Sequence, residues 1–235
     1  MAGVTIMDAK RIFAKARKEK RTLLTPDESF EVLKAYKIPV ASYAVVQDAD
    51  GAVKAANKLG YPVALKVVSK RVTHKTEVGG VMLDIDSAEA LRAGFEKMQA
   101  KLKKAGVKPD GVLVQTMAGA GQQVIIGGKK DSQFGQTVVF GAGGVYVELL
   151  EDAAVRVAPI TKADAYEMMV ETRMYKALKG FRGKSYDIES VAEIIAKVSK
   201  LLTDNQEISE LDINPVVVMP DKGGAVAVDA RIVLE

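Results

Sequence analysis

The chain has 235 residues, of which 48% are hydrophobic and 27% charged, and its 34 basic and 30 acidic side chains leave a formal net charge of +4. This composition predicts a globular protein of one large or two small domains, and the basic excess is too evenly spread to indicate a nucleic-acid partner. Because there is no cysteine and only one histidine, disulfides, thiolate catalysis, cysteine-ligated zinc and sites with two histidine ligands are excluded.

The first predicted elements are two helices near the N-terminus. Residues 8–20 place Ile12, Phe13 and Ala16 among basic side chains, a pattern typical of an amphipathic helix. Such a helix could lie on a membrane surface, but its apolar face is small, which favours docking on protein. A second helix is predicted to start at TPDE (residues 25–28), which combines a threonine N-cap, a proline in the first turn and a glutamate three residues after the cap.

The remaining elements do not alternate as regular βαβ units, so the predicted fold class is α+β. In chain order, the pattern predicts a strand at 40–46, a helix at 49–59, strands at 63–68 and 81–85, a helix at 87–104, strands at 112–115, 123–127, 137–140 and 155–159, helices at 162–172, 174–179 and 188–202, and strands at 207–213, 216–219 and 225–229. A change in composition at residues 106–111 suggests a boundary, or seam, between two subdomains. We therefore expect an N-terminal helical extension (1–23) and two subdomains (24–110 and 111–235). No apolar run approaches the roughly 18 residues of a membrane span, which favours a cytoplasmic protein.

Two glycine-rich stretches, residues 119–121 and 141–144, do not match the known nucleotide-binding loops. Both are followed by strand-like residues, whereas the dinucleotide-binding fingerprint opens a helix. The P-loop pattern GxxxxGK[ST] does not occur either. A bound nucleotide would therefore have to be held in another way.

The first candidate site combines a strand lysine with the single histidine. Lys66 interrupts the apolar run of residues 63–68, where a lysine is costly to bury unless it is paired or faces a ligand. His74 follows in a loop whose other notable residues are Lys70, Arg71, Lys75, Gly79 and Gly80. An imidazole can accept a phosphoryl group and pass it on, while cationic side chains and glycine N–H groups offset its charge. The alternatives are a lysine that faces solvent and a structural histidine.

A second candidate site lies in a predicted hairpin near the C-terminus. Alternation along the strand places Glu210, Asp212 and Asn214 on one face, and the following glycine turn returns Asp229 beside Asn214. With cysteine and histidine sites excluded, any metal must be held by oxygen ligands, and this set suits Mg²⁺ that bridges nucleotide phosphates. A half-exposed hairpin with polar outer residues is the alternative interpretation.

Arg156 is a third candidate because it lies in an otherwise apolar strand after the glycine-rich residues 140–148. Glycines admit a ligand close to the backbone, and an arginine in such a strand invites an anionic partner. The competing interpretation is a salt bridge to Glu148, Glu151 or Asp152.

Five stretches together resemble a known family from about residue 24 to the end. They read LTPDESFEVLKAYKIPV, YPVALKVVS, THKTEVGGV, FGQTVVFGAGGVYVELLEDAAVRVAPI and ELDINPVVV. In order and spacing they resemble the ATP-grasp β subunit of archaeal-type ADP-forming acetyl-CoA synthetase, also called acetate–CoA ligase (ADP-forming). The β subunit of succinyl-CoA synthetase is more distantly similar. The resemblance implies an ATP-grasp fold, in which two α+β subdomains clasp a nucleotide.

The resemblance also implies roles for individual residues. His74 matches the histidine that relays phosphate, and Lys66 and Arg156 are expected to stabilise the transferring phosphoryl group. The residues expected to bind ATP or ADP are Lys66, Val68, Ser69, Arg71, Gln115, Thr116, Met117 and Gln123, with residues 115–117 as the adenine-side hinge. The expected Mg²⁺ ligands are Asn214 and Asp229, together with Asp212. Two positions depart from the family pattern, since Gln123 stands where Glu is usual and Glu77 where Asp is usual.

The chemistry implied for the family is the reversible conversion of acetyl-CoA, ADP and phosphate into acetate, CoA and ATP, through acyl phosphate and phosphohistidine. The CoA-binding domains belong to a separate α subunit, so an α₂β₂ heterotetramer is expected, with no nucleic-acid or membrane partner. Two alternatives stay open. One is a β-type subunit of another nucleoside-diphosphate-forming acyl-CoA ligase, such as succinyl-CoA synthetase, and the other is a non-catalytic, nucleotide-sensing subunit.

Overall fold

The computed structural model describes residues 4–70, 75–144, 152–180 and 185–235. Its helices are α1 (Ile6–Lys18), α2 (Pro26–Ala35), α3 (Ala49–Leu59), α4 (Ala88–Lys104), α5 (Lys162–Val170), α6 (Arg173–Lys179) and α7 (Ile188–Asp204). Its strands are β1 (Tyr43–Val46), β2 (Val63–Val68), β3 (Val81–Ile85), β4 (Gly111–Thr116), β5 (Gln122–Asp131), β6 (Gly135–Ala142), β7 (Ala153–Val157), β8 (Ile208–Val218), β9 (Ala225–Ala227) and β10 (Arg231–Leu234). These elements confirm the predicted α+β class. Among the described residues, no helix is long and apolar enough to span a membrane.

The chain divides into two compact units. The larger unit comprises Met1–Val40 and Ala118–Glu235, and the smaller unit comprises Ala41–Met117. The smaller unit contains an antiparallel sheet with strand order β1-β4-β2-β3, and the larger unit contains a sheet with order β10-β8-β5-β6-β7, in which β9 also pairs with β8.

In the smaller unit, α3 and α4 share one hydrophobic core with the sheet. Leu65 and Val67 of β2 are buried in one cluster with Phe95 and Met98 of α4. Burial of each such side chain contributes about 1.5–3 kcal/mol. Because side chains alternate along a strand, Lys66 points to the opposite face of the sheet from these helices.

In the larger unit, α7 packs on the sheet through an apolar stripe. The buried apolar side chains of this stripe are Val191, Ala192, Ile194, Ile195, Val198, Leu201 and Leu202. On β8, the buried Leu211 and Ile213 alternate with the half-buried Asp212 and Asn214. The alternation therefore places the two polar side chains on the other face of the strand, as the sequence predicts.

The N-terminal helix docks on its own chain. Its apolar face, Ala9, Phe13 and Ala16, is fully or almost fully buried, and α1 packs against α2. This arrangement supports the docking interpretation of the basic helix over the membrane-surface one.

The predicted capping box at the start of α2 is present. Thr25 N–H donates to Glu28 Oε2 at 3.0 Å, and the Arg21 guanidinium donates to both oxygens of the same carboxylate at 2.8 and 2.9 Å. Burial alone would raise the pKa of Glu28. The hydrogen bonds from Arg21 and Thr25 outweigh burial and lower the pKa from 4.5 to about 2.

The observed division of the chain differs from the one based on sequence. The seam follows Met117 instead of lying at 106–111, because β4 pairs with β1 and β2 in the smaller sheet. Residues 1–40 belong to the larger unit, where Leu24 N–H donates to Ile232 O at 3.0 Å and Leu234 N–H donates to Thr22 O at 2.7 Å.

The strands at the C-terminus also differ from the prediction. The two strands predicted at 207–213 and 216–219 form the single strand β8. Its register with β5 shifts between Val124 and Ile126, so that Asn214 and Pro215 together face Ile125 as a β-bulge. Pro215, which lies between the two predicted strands, is accommodated in this bulge. The sequence pattern did not predict β10.

Candidate functional site

Lys66 lies in the middle of β2 with Leu113 of β4 on one side and Val81 of β3 on the other. Its exposed fraction is only 7%, so Lys66 is a buried residue. Gln115 is on the same face of the sheet, because it pairs with Ala64, and its exposed fraction is 2%. Its Nε2 is buried and has no hydrogen-bond partner within the described part of the chain. A buried cation beside an unsatisfied donor gives this face the chemistry to bind an anionic or acceptor-rich ligand.

The segment after β2 is tied to the start of β4. Lys70 N–H donates to Asp110 Oδ2 at 2.8 Å, and Asp110 N–H donates to Val68 O at 2.8 Å. Ser69, between them, is buried. Val68 and Ser69 are thus fixed next to Lys66. Arg71 and His74, the other residues expected here, lie outside the described residues.

The two glycines after the histidine close a turn. Gly79 N–H donates to Thr76 O at 3.0 Å, and Gly80 N–H donates to Lys75 O at 2.7 Å. A Cβ on Gly80 would overlap Val67 Cγ1 and lie 2.9 Å from Lys75 O. Since both N–H groups are used inside the turn, the structure does not support the expectation that they approach a phosphate. Gly80 is required by the close packing of the turn on β2, whereas Gly79 has a φ of +68° and a Cβ there would overlap the Lys101 side chain.

Residues 115–117, the expected hinge, form the end of β4 and the last residues of the smaller unit. Thr116 N–H donates to Ser42 O at 2.9 Å, and Met117 N–H donates to Pro62 O at 3.3 Å. The Thr116 hydroxyl donates to the same Ser42 oxygen at 3.3 Å. The backbone of this segment is therefore fixed by neighbouring segments of its own unit.

The predicted oxygen ligands in the C-terminal hairpin come together. Ala227 pairs with Val216 and Arg231 pairs with Asp212, so the common register places Asp229 opposite Asn214. The Asn214 side chain is carried by the bulge of β8, and bulges commonly re-aim a side chain.

The charges in this hairpin are only partly compensated. The pKa of Asp212 is raised to about 6, mainly by burial and also by the nearby Glu210 and Asp229 carboxylates, while Arg231 opposes the rise. Asp212 Oδ1 is buried without a hydrogen-bond partner in the described residues. Glu210, in contrast, accepts a hydrogen bond of 2.8 Å from Arg231. An orphaned buried carboxylate oxygen beside a second carboxylate and an amide fits a hard cation.

No group of three or more His, Cys, Asp or Glu side chains arranged to hold a metal occurs in the described ranges. The candidate metal site therefore depends on the Asn214 amide oxygen in addition to the Asp212 and Asp229 carboxylates. Oxygen donors of both kinds are ordinary ligands of Mg²⁺.

A contact that the sequence did not reveal connects this hairpin to the glycine-rich stretch after β6. Gly144 N–H donates to Asn214 Oδ1 at 2.8 Å, and Gly143 N–H donates to Gln123 O at 3.0 Å. Gln123 and Asn214 are thus joined through the glycines, although the sequence suggested only a ligand near this backbone. The run of small residues at 141–144 was the sequence signal that could have predicted a close approach of two chain segments here.

Arg156 does not join the other candidates of the larger unit. It lies on β7, and β6 and β5 separate that strand from β8, which corresponds to roughly 14 Å at about 4.8 Å per strand. Its guanidinium forms an ion pair with Glu171, and this hydrogen bond is the main cause that raises the pKa of Arg156. The salt-bridge interpretation is therefore supported, with Glu171 as the partner. Asp152, one of the carboxylates named for that role, instead accepts from Arg173 and Met174 N–H at 2.8 Å each.

Comparison with known proteins gives the class of protein. A family model described as an ATP-grasp domain matches residues 15–234, almost the whole chain. The chain thus contains an ATP-grasp domain, as the sequence motifs indicated.

Individual relatives define the family more closely. The chain is 43% identical, over 97% of its own length and 99% of the relative's, to the β subunit of acetate–CoA ligase (ADP-forming) I of Pyrococcus furiosus. It is 44% identical to acetate–CoA ligase (ADP-forming) I of Archaeoglobus fulgidus, over 88% of this chain but 30% of that longer one. The chain belongs to the family of ATP-grasp β subunits of ADP-forming acetate–CoA ligases.

A solved structure shows the same fold with ligands. It is the dinucleotide-forming acetyl-CoA synthetase 1 of Ca. Korarchaeum cryptofilum in complex with CoA and Mg-AMPPCP, with a phosphohistidine segment pointing towards the nucleotide-binding site. It matches 97% of this chain and 100% of its own, with a TM-score of 0.84 and 37% identity. This relative supports nucleotide and Mg²⁺ binding in the family.

Proposed function

We propose that this chain is the nucleotide-binding subunit of an ADP-forming acetyl-CoA synthetase, in which it transfers a phosphoryl group reversibly between phosphohistidine and ADP. The observation that carries the proposal is the 43% identity that extends over 97% of this chain and 99% of a β subunit of such an enzyme. The overall reaction is acetyl-CoA + ADP + phosphate ⇌ acetate + CoA + ATP.

The step assigned to this chain is the exchange of a P–N bond for a P–O bond. The bond between phosphorus and the histidine nitrogen breaks, the nitrogen keeps the electron pair, and a terminal oxygen of ADP forms the new bond to phosphorus. His74 is the histidine that relays the group from the partner. Catalysis of such a transfer depends mainly on positioning and on stabilisation of the charge on the phosphoryl oxygens.

Lys66 has the environment that this role requires. The Lys66 residue is almost fully buried, and a charge acts more strongly on a neighbouring phosphate where water is excluded. Val68 ends the same strand, Ser69 follows it, Arg71 is two residues further along the sequence, and Gln115 shares the face of the sheet. These residues, with Thr116 and Met117 at the end of β4 and Gln123 on β5, are proposed to bind the nucleotide.

Asn214, Asp229 and Asp212 are proposed to hold Mg²⁺. The cation would neutralise charge on the nucleotide phosphates when it is bound. The unpartnered Asp212 oxygen and its raised pKa support this assignment, because both show a carboxylate whose charge is not compensated by the protein. Arg156 forms an ion pair with Glu171 and lies on β7, away from the Mg²⁺ ligands on the hairpin. We therefore do not assign Arg156 to the phosphate oxygens that the cation would contact.

The chain is proposed to work with a CoA-binding α subunit in an α₂β₂ assembly. Relatives occur both as separate β subunits and as longer single chains of which the matched region is about a third or less. In this proposal, the remaining two thirds of those longer chains correspond to the separate α subunit, which provides the CoA-binding domains.

The proposal is tested by co-expression of the chain with the α subunit encoded in the same organism. The purified complex should form ATP from acetyl-CoA, ADP and phosphate, and neither subunit should do so alone. If the complex binds nucleotide but forms no ATP from acetyl-CoA or from any other acyl-CoA, the chain is a nucleotide-sensing subunit and the proposal is wrong.

A further inference from the structure

The glycine-rich stretch after β6 reaches the candidate metal site by crossing β5. At Gly143, the position of a Cβ would overlap the backbone of Val124, and at Gly144 it would overlap the side-chain oxygen of Gln123. Gly144 also has φ of +66°, which side chains other than glycine rarely adopt. The two glycines therefore allow the chain to pass over β5 and bring the Gly144 N–H to Asn214 Oδ1 at 2.8 Å.

The hydrogen bond decides which way the Asn214 amide points. A main-chain N–H can donate only to the amide oxygen, since the NH₂ group is a donor itself, so the flipped orientation would lose this bond. An amide oxygen has two lone pairs, and the N–H occupies one of them, which leaves the other for a cation. Partners that orient a metal ligand in this way commonly account for a ten- to hundredfold change in metal affinity.

We propose that Gly144 is a positioning residue of the Mg²⁺ site, whose N–H fixes the Asn214 amide oxygen as a ligand. This inference rests on the proposed function, because it takes Asn214 as a ligand of Mg²⁺. It also gives the glycine-rich stretch a role that its sequence did not indicate. The glycines approach a protein side chain instead of leaving space for the nucleotide.

Isothermal titration calorimetry of ADP with and without Mg²⁺ is the first test. Gly144→Ala should weaken the Mg²⁺-dependent part of ADP binding by about tenfold or more. Gly135→Ala is the matched control, because Gly135 belongs to the same unit and has φ of +74° but no atom within 4 Å of the added Cβ. The Gly135→Ala variant carries a similar backbone strain and should leave the Mg²⁺-dependent part of ADP binding unchanged.

A double-mutant cycle separates positioning from a general structural effect. If Gly144 acts through Asn214, Gly144→Ala should cause no further loss of Mg²⁺ affinity in the Asn214→Ala background. If Asn214→Ala alone leaves Mg²⁺-dependent binding unchanged, the metal site of the proposed function is wrong. If Asn214→Ala weakens binding but Gly144→Ala behaves like Gly135→Ala, the metal site stands and the positioning role is refuted.

Amide hydrogen exchange gives a readout that needs no metal and no Gly144 variant. The Gly144 amide should be protected in the metal-free chain and in Asn214→Asp, which keeps an acceptor oxygen, and should lose protection in Asn214→Leu. Equal exchange of this amide in all three proteins would overturn the inference, even if Gly144→Ala fails to fold.

Discussion

Asn214 of β8 lies opposite Asp229, because the strand pairs on both sides of these two residues share one register. Next to them, Val228 N–H donates to Pro215 O at 3.1 Å, which continues the pairing between β9 and the bulge. An amide and a carboxylate thus meet beside Asp212, whose oxygen Oδ1 is buried and unpartnered in the described part of the chain. The hairpin brings together the three ligands that the proposed function assigns to Mg²⁺.

The first prediction concerns Asp229, the carboxylate that lies opposite Asn214. Asp229→Asn should weaken ADP binding in the presence of Mg²⁺ by at least about tenfold, or ~1.4 kcal/mol, because one charged ligand is lost. Metal-free ADP binding should not weaken, since the substitution removes a negative charge. Glu210→Gln is the matched control, because Glu210 is a neighbouring carboxylate that already pairs with Arg231. Equal effects of the two substitutions on Mg²⁺-dependent calorimetry would contradict the ligand assignment.

Lys66→Met tests the buried ammonium group on β2. Methionine keeps the length of the side chain and removes its charge, so the rate of ATP formation by the complex should fall by about a hundredfold, or ~3 kcal/mol. Lys58→Met, which changes an exposed lysine of the same unit, should leave the rate unchanged. A Lys66→Met complex that retained wild-type turnover would exclude Lys66 from the phosphate site.

The Arg21–Glu28 pair predicts a pH dependence of stability. The folded-state pKa of Glu28 is about 2, below its ordinary value of 4.5, so its contribution is complete above pH 4.5 and is lost as the pH falls towards 2. The difference between these pKa values corresponds to roughly 3 kcal/mol. Urea unfolding between pH 6 and pH 3 should therefore show a smaller loss of stability for Glu28→Gln than for the wild type. Glu31→Gln, on the same helix, should keep the wild-type dependence.

Gly80→Ala tests the turn that follows the histidine loop. The added Cβ would press on Val67 in the core and on the carbonyl of Lys75, so the free energy of unfolding should fall by about 1–3 kcal/mol. Gly119→Ala, where no atom lies within 4 Å of the new Cβ, should change it by much less. If chemical denaturation finds the two variants equally stable, the close packing of this turn does not require glycine.

The sequence alone was sufficient to predict the features that are determined by residues close together in the chain. Thr25 and Glu28 form their capping box because the partners are three residues apart, and Lys66 points away from α3 and α4 because side chains alternate along β2. The same alternation, with a short glycine turn, was enough to predict that Asp229 returns to Asn214. These features need no knowledge of how distant segments pack.

The remaining features depend on contacts between distant segments. Arg156 pairs with Glu171, the residue that follows the last turn of α5, and local spacing does not predict this partner. The seam follows Met117 because β4 pairs with β1, and Gly144 meets Asn214 because a loop crosses a strand. Two strands were predicted at 207–213 and 216–219, but the bulge keeps β8 continuous. Arg71 and His74 lie outside the described residues, so their proposed roles rest on the sequence and the family.

The most direct test of the central claim is the rate of ATP formation by a His74→Ala variant in complex with its α subunit, measured together with its affinity for ADP. The account predicts that ATP formation from acetyl-CoA, ADP and phosphate is abolished while the dissociation constant for ADP stays within about twofold of the wild type, because His74 carries the phosphoryl group and does not hold the nucleotide. Wild-type turnover by the variant complex would contradict the account.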